Sequence, residues 1–196
     1  MDRIATCIRR AAVDNNLAVP SYAAASDIIG LGLKECIDQL FPGLPESDAN
    51  EFAVSYSARF REQDTSPCDF FPGVLETLRD LRKSGYILAV ATGKSRAGLD
   101  RVLVATGLFG FFDGTRCADE TLSKPHPLML EELLAQFEVK ASDAVMVGDT
   151  EFDLAMARNA NVPSIAVSYG AHDLDRLLKY KPIVFLDALS DIKLYL

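Results

Sequence analysis

The chain has 196 residues, 49% of them apolar and 24% charged. That is the balance of a soluble globular protein, and it excludes disordered and collagen-like classes. Lys and Arg number 20 against 28 Asp and Glu, a net charge of −8, so binding of nucleic acid or an anionic membrane through a basic face is not expected, although a local anion pocket stays open.

The first 68 residues read as helices. Ile4, Ile8, Ala11 and Ala12 recur at helical spacing, and apolar helical stretches follow at 22–29, 33–41 and 49–61. Pro20, Gly30-Leu31-Gly32, Pro42-Gly43-Leu44-Pro45 and Ser66-Pro67 punctuate them. From Phe71 the texture changes. Helix 74–83 follows Pro72-Gly73, then strand 86–92, helix 95–106, a short strand at 115–118 and helix 127–137. Strand 144–147 leads to helix 152–160, followed by strand 164–168, helix 173–179, strand 183–186 and a terminal helix at 189–194. Apolar strands alternating with amphipathic helices predict an α/β fold with a doubly wound parallel sheet, covered on both faces, whose ligands sit at the carboxyl ends of the strands.

No apolar stretch is long enough to span a membrane, and MDRIATCIRRAA has no apolar leader segment. Cys7, Cys36, Cys68 and Cys117 form no C-x-x-C pair, so neither a zinc site nor a disulfide framework is indicated. They are expected as buried small hydrophobes. His126 and His172 are too few for a His-rich metal site. A reducing, cytoplasmic location is the expectation. Oligomeric state is not legible.

Three segments at strand ends could carry chemistry. Ala91-Thr92-Gly93-Lys94-Ser95 offers a hydroxyl and amides at a helix start, suited to an anion. A P-loop is rejected, because that motif needs Gly five residues before Gly93 and position 88 is Leu. Thr92 could equally be a plain helix cap. In Ser123-Lys124-Pro125-His126-Pro127, Lys124 stands before proline in an extended segment and could neutralise a phosphoryl oxygen. By itself it reads rather as an ordinary loop lysine. Gly148-Asp149-Thr150-Glu151-Phe152-Asp153 follows the third apolar strand. Asp149 suits a hard cation such as Mg²⁺, with Asp153 orienting the groups around it. Thr150 and Glu151 are explained by helix capping, but an acid directly after strand and glycine is not.

In this order, Thr92, Lys124 and Gly148-Asp149 with Asp153 resemble the second, third and fourth motifs of the haloacid dehalogenase superfamily of phosphohydrolases. FFPGVLETLRDLRKSGYILAVATGKS, SKPHPLML and VMVGDTEFDLAMARNANVPSIAVSYGAH resemble its phosphoglycolate phosphatase-like branch. The resemblance covers about 70–190. It implies a Rossmann-like core over 69–196, with 1–68 as a helical cap. It further implies a Mg²⁺-dependent phosphatase acting on a small phosphorylated metabolite through an aspartyl-phosphate. Asp149 would be the metal ligand, Lys124 would neutralise the phosphoryl oxygens, Thr92, Gly93 and Lys94 would hold the phosphoryl group, and Asp153 would support the site.

The family's first motif, D-x-D-x-T/V after a strand, is absent. Asp2-Arg3-Ile4-Ala5-Thr6 has Ile at the second acid's position and no strand before it, so it reads as a helix start. The family's central strand is therefore expected to be missing. The nucleophile is expected upstream of Met1, and a truncation, or a neighbouring segment or second chain in the gap, are the alternatives. The chain as written is expected to be inactive. A non-catalytic member that binds a phosphorylated ligand or partner is the rival reading. A phosphonatase resting on Lys34, or a phosphomutase, stands behind both, and the glycines of Ile29-Gly30-Leu31-Gly32-Leu33 could either approach a ligand or simply break two helices.

Overall fold

A computed structural model describes residues 2–62 and 70–196. Cys68 and the Ser66-Pro67 break lie outside them. The N-terminal part is helical: α1 (Asp2–Asp14), α2 (Tyr22–Asp27), α3 (Leu33–Leu40) and α4 (Glu46–Glu62). The small apolar face of α1, Ala5, Ile8, Ala11 and Ala12, is buried together with Ile28, Ile37 and Phe52. Phe52 meets Phe41 edge-on at 5.1 Å. Asp14 accepts two hydrogen bonds from Arg59, at 2.8 and 2.9 Å, which tie α1 to α4. Helix α4 starts earlier than its apolar spacing predicts. Pro45 precedes its first residue, and its carbonyl accepts from the Ala49 N–H at 2.9 Å, a use of proline that helix starts permit.

The rest alternates helix and strand: α5 (Val74–Lys83), β1 (Ala89–Thr92), α6 (Arg96–Ala105), β2 (Gly114–Cys117), α7 (Leu128–Phe137), β3 (Met146–Gly148), α8 (Glu151–Asn159), β4 (Ser164–Val167), α9 (Leu174–Leu178) and β5 (Phe185–Leu186). Every strand pair is parallel, as crossovers through helices require. Strand β1 is shorter than the apolar run predicts, because the Leu88 N–H donates to the Asp113 carboxylate at 2.9 Å while Asp113 N–H returns to the Leu88 carbonyl at 2.8 Å. A side chain thus closes the ladder there and leaves Tyr86 and Ile87 exposed. The predicted terminal helix at Leu189–Leu194 is a 3-10 helix.

The sheet falls into two pieces, β1–β2 and β3–β4–β5. Among the described residues no strand joins β1 to β3, and Asp2 opens α1 rather than a strand. The two pieces still share one core. Ala91 of β1 and Met146 of β3 pack on the same group, Met129, Leu130 and Met156. Strand β4 is buried along its whole length, as a strand covered on both faces must be. Cys7, Cys36 and Cys117 are buried and form no disulfide with one another. Among the described residues no helix is long and apolar enough to cross a membrane.

At the far end of β2, Arg96 grips Glu120 with two nitrogens at 2.8 and 2.7 Å, and this holds the Glu120 carboxyl below its ordinary value of 4.5. Because the folded value is depressed, the pair stabilises the fold above the ordinary Glu range, and that contribution is lost as pH falls through the folded value. Arg96→Met is expected to cost about 0.5–1 kcal/mol at neutral pH and almost nothing in acid. Urea unfolding of both proteins across pH 3–7 checks this, and a cost that does not change with pH overturns it.

Candidate functional site

The turn after β1 is built by capping. Ser95 is the N-cap of α6 and accepts from the Gly98 N–H at 3.2 Å. The cap reading of Thr92 is therefore corrected: Thr92 Oγ1 accepts from the Lys94 N–H at 3.2 Å inside the turn, and the helix is capped three residues later. The loop after β2 carries Ser123 and Lys124, both buried. Asn159 donates to the Pro125 carbonyl at 2.9 Å and fixes this loop to α8. The Lys124–Pro125 peptide is cis.

The turn after β3 is a capping box in which Thr150 and Asp153 bond each other's backbone. Asp153 Oδ2 accepts from the Thr150 N–H at 3.1 Å and from its hydroxyl at 2.8 Å. Its Oδ1 accepts from Lys124 Nζ at 2.5 Å, and both side chains of this ion pair are less than a tenth exposed. Asp153 therefore does two jobs with one carboxylate. It closes the helix start, and it holds a buried ammonium in place.

Asp149 is the carboxylate left to face the cavity. Its Oδ2 accepts from the Ala171 N–H at 2.9 Å. Burial first, then the nearby Asp153 charge, pushes its carboxyl above the ordinary 3.8. A carboxylate that binds a proton more tightly for these reasons also attracts a cation. A Cβ on Gly170 would sit 2.5 Å from Asp149 Oδ2, so the glycine is what lets the loop after β4 approach so closely. Among the described residues no group of three or more His, Cys, Asp or Glu side chains is placed to hold a metal ion by itself. The donor set fits Mg²⁺ as one protein carboxylate, with the other positions left to water and phosphate oxygens.

Thr92, Gly93, Lys94, Lys124, Gly148, Asp149, Thr150 and Asp153 line one cavity of about 490 Å³. Side chains from three separate segments of the chain thus meet there. Its other wall comes from the N-terminal helices. Gly30 (φ +112°) lies so close that a Cβ would be 2.8 Å from Thr150 Oγ1, and one on Gly93 would be 2.7 Å from the Gly30 carbonyl. The Gly32 N–H donates to Ser123 Oγ at 2.8 Å. The glycines of 29–33 thus seat the helical region directly against the candidate anion-binding turn and do more than break two helices. Lys34 is outside the cavity lining, 84% exposed, and paired with Asp38 at 3.2 Å.

Two residues given no role from the sequence hold this arrangement. Glu151 N–H donates to His172 Nδ1 at 3.1 Å, and His172 Nε2 lies 3.2 Å from the Asp27 carbonyl. The ring thereby links α8 to the helical region, and burial lowers its proton affinity. Arg176 donates to both Asp27 and Glu151. His172 only closes a quoted segment and Arg176 lies beyond it, so it is the tertiary contacts that give them their roles. His126 Nδ1 accepts from the N–H of Leu128, the first residue of α7, at 3.2 Å.

The model of the haloacid dehalogenase-like hydrolase family matches residues 1–167. The probable phosphatase IndB of Dickeya dadantii is 39% identical over 169 residues, covering 84% of this chain and 73% of that protein. Pyrophosphatase PpaX of Bacillus cereus is 32% identical over 178 residues, 90% of this chain and 82% of that one. The crystal structure of a predicted phosphoglycolate phosphatase from Haemophilus somnus superposes with a TM-score of 0.83 at 26% identity, covering 98% of this chain and 90% of its own. A hydrolase from Pseudomonas syringae, with a TM-score of 0.88 at 15% identity and coverage of 98% and 90%, shares the fold. With its strand-end residues gathered on one cavity and its parallel α/β architecture shared with these proteins, the chain belongs to the haloacid dehalogenase-like hydrolase family.

Proposed function

We propose that the protein is a Mg²⁺-dependent phosphatase of the cytoplasm that hydrolyses a small, phosphoglycolate-like phosphate monoester, with residues 1–68 as a cap over a core of 69–196. The observation that carries this reading is the convergence of Thr92, Lys124 and Asp149 on one cavity. The Thr92 hydroxyl, the Gly93 amide and Lys94 bind the phosphoryl oxygens, and the Lys124 ammonium neutralises them. Asp153 holds Lys124 and is a positioning residue. Asp149 holds the metal, which when bound supplies positive charge to the phosphoryl oxygens. The cap and the loop after β4 shield these groups from water.

Among the described residues, Asp149 and Asp153 are the only carboxylates lining the cavity, and both have other work. The attacking carboxylate, which would form the aspartyl-phosphate, is assigned to a D-x-D segment upstream of Met1, seated between β1 and β3. The gap between β1 and β3 among the described residues supports this, and the 196-residue chain alone is expected to turn over little or nothing. The same absence of a third carboxylate favours the second reading, a member that binds a phosphorylated ligand without cleaving it.

Hydrolysis of an aryl phosphate tests these readings, with Mg²⁺ and with EDTA, for the chain alone, for the chain extended by a D-x-D segment, and for the extended Asp149→Asn protein. The extended chain is expected to be active, with EDTA abolishing turnover and Asp149→Asn lowering kcat/KM by roughly 10²–10³. Turnover by the 196 residues alone would place the nucleophile inside them. Phosphate binding without turnover in either form would establish the binding reading.

A further inference from the structure

The cavity has two unlike walls. The core side supplies its cations, Lys94, Arg101 and Lys124, and the Thr92 hydroxyl. The helical side supplies Ile29, Leu31, Leu33, Tyr56 and Phe60, and among the described residues it contributes no charged side chain to the lining. Tyr56 and Phe60 pack as a tilted pair, 5.9 Å between ring centres, and Lys94 Nζ lies 5.5 Å from the centre of the Phe60 ring. At about 490 Å³ the space falls in the range of small-molecule sites, roughly 300–1,000 Å³, well beyond what a phosphate group fills.

This layout sorts a ligand by its two ends. A dianionic phosphoryl head finds charge-assisted donors on the core side. The other end meets apolar side chains, where a carboxylate would be stripped of water and could be paired only by drawing Lys94 or Arg101 from the phosphoryl head, while an alkyl or aromatic group gains burial and ring contacts. We infer that the cap selects phosphate monoesters whose alcohol portion is an uncharged apolar group, of about the size of an aromatic ring, over esters that carry a second anion. The inference rests on the phosphate-site reading above, and it replaces the phosphoglycolate-like substrate proposed there, whose carboxylate is a second anion, with an apolar ester.

Titration calorimetry of the 196-residue chain in Mg²⁺ tests this without needing turnover. The probes are inorganic phosphate, methylphosphonate, benzylphosphonate, phosphonoacetate and methylenediphosphonate. Benzylphosphonate is expected to bind about tenfold or more tighter than methylphosphonate, with phosphonoacetate and methylenediphosphonate weaker than either. Ile29→Ala is expected to lower the benzyl advantage several-fold while leaving the affinity for inorganic phosphate unchanged. Tightest binding of phosphonoacetate or methylenediphosphonate would show that Lys94 and Arg101 hold a second anion, and would overturn the inference. Phosphate binding with no benzyl preference overturns the inference alone. No binding of phosphate overturns the site reading and the inference with it.

Discussion

Lys124→Ala is expected to lower the stability of the fold by about 3–5 kcal/mol, a large share of what a domain of this size possesses. The reason is what the substitution leaves behind. Asp153 is 4% exposed, and its Oδ1 takes Lys124 Nζ at 2.5 Å. Without the ammonium, a carboxylate stays buried with only Thr150 to satisfy it, and the penalty is that of an unpaired charge and not of a lost contact. The two Thr150 hydrogen bonds at 3.1 and 2.8 Å offset part of this and place the effect toward the lower end. Lys124→Met with Asp153→Asn removes both charges together and is expected to cost less than Lys124→Ala alone, a coupling of the kind that interacting neighbours show. Urea unfolding of Lys124→Met, of Asp153→Asn and of the double variant, beside Lys124→Ala, measures it. A loss below about 1 kcal/mol for Lys124→Ala, the size of a surface pair, would mean that the buried pair is not formed in solution. The same variants should lose affinity for inorganic phosphate, since Lys124 is the buried cation of the cavity.

The second large effect is expected at the seam between the helices and the sheet. Gly30 has φ +112°, and a Cβ there would meet Thr150 Oγ1 at 2.8 Å and Thr150 Cγ2 at 2.9 Å. Gly43 also has positive φ, at +80°, but nothing lies within 4 Å of its Cβ position. Alanine at Gly43 therefore carries only the backbone cost, roughly 1–2 kcal/mol. Alanine at Gly30 adds a collision with a hydroxyl that is itself bonded to Asp153, and overpacking of that kind costs about 1–3 kcal/mol more. Relief can come only by lifting the helical region or breaking the capping box. Gly30→Ala is accordingly expected to be the more destabilising by at least about 1 kcal/mol and to weaken phosphate binding, whereas Gly43→Ala leaves that binding unchanged. Equal losses from the two would show that backbone strain alone governs Gly30 and that the seam is loose.

The sequence carried the element order because its signals are local. Strand-length apolar runs, glycines at helix ends and acids after strands are set within a few residues, and the parallel α/β class follows from their alternation. The candidate residues Thr92, Lys124, Asp149 and Asp153 were legible for the same reason, as short patterns at strand ends. Boundaries failed where a distant group intervened. Asp113 ends the ladder at Leu88, and no local pattern announces a partner 25 residues away. Roles failed in the same way. Thr92 reads as a cap as readily as a site residue until Ser95 is seen to do that work, and Asp153 reads as a site residue until its carboxylate is seen closing the helix start as well.

By itself, then, the sequence determined that this is an α/β chain with three strand-end segments suited to an anion and a hard cation, since those properties depend on residue type and near spacing. Only the tertiary structure decided that these segments share one cavity, that the strands form two separate pieces among the described residues, and that glycines 30 and 32 press the helical region onto the site. It also brought His172 and Arg176 to Asp27, across 145 and 149 residues of chain. The physical reason is that such contacts join groups far apart in sequence, and they form only when burial of the two cores brings those groups together.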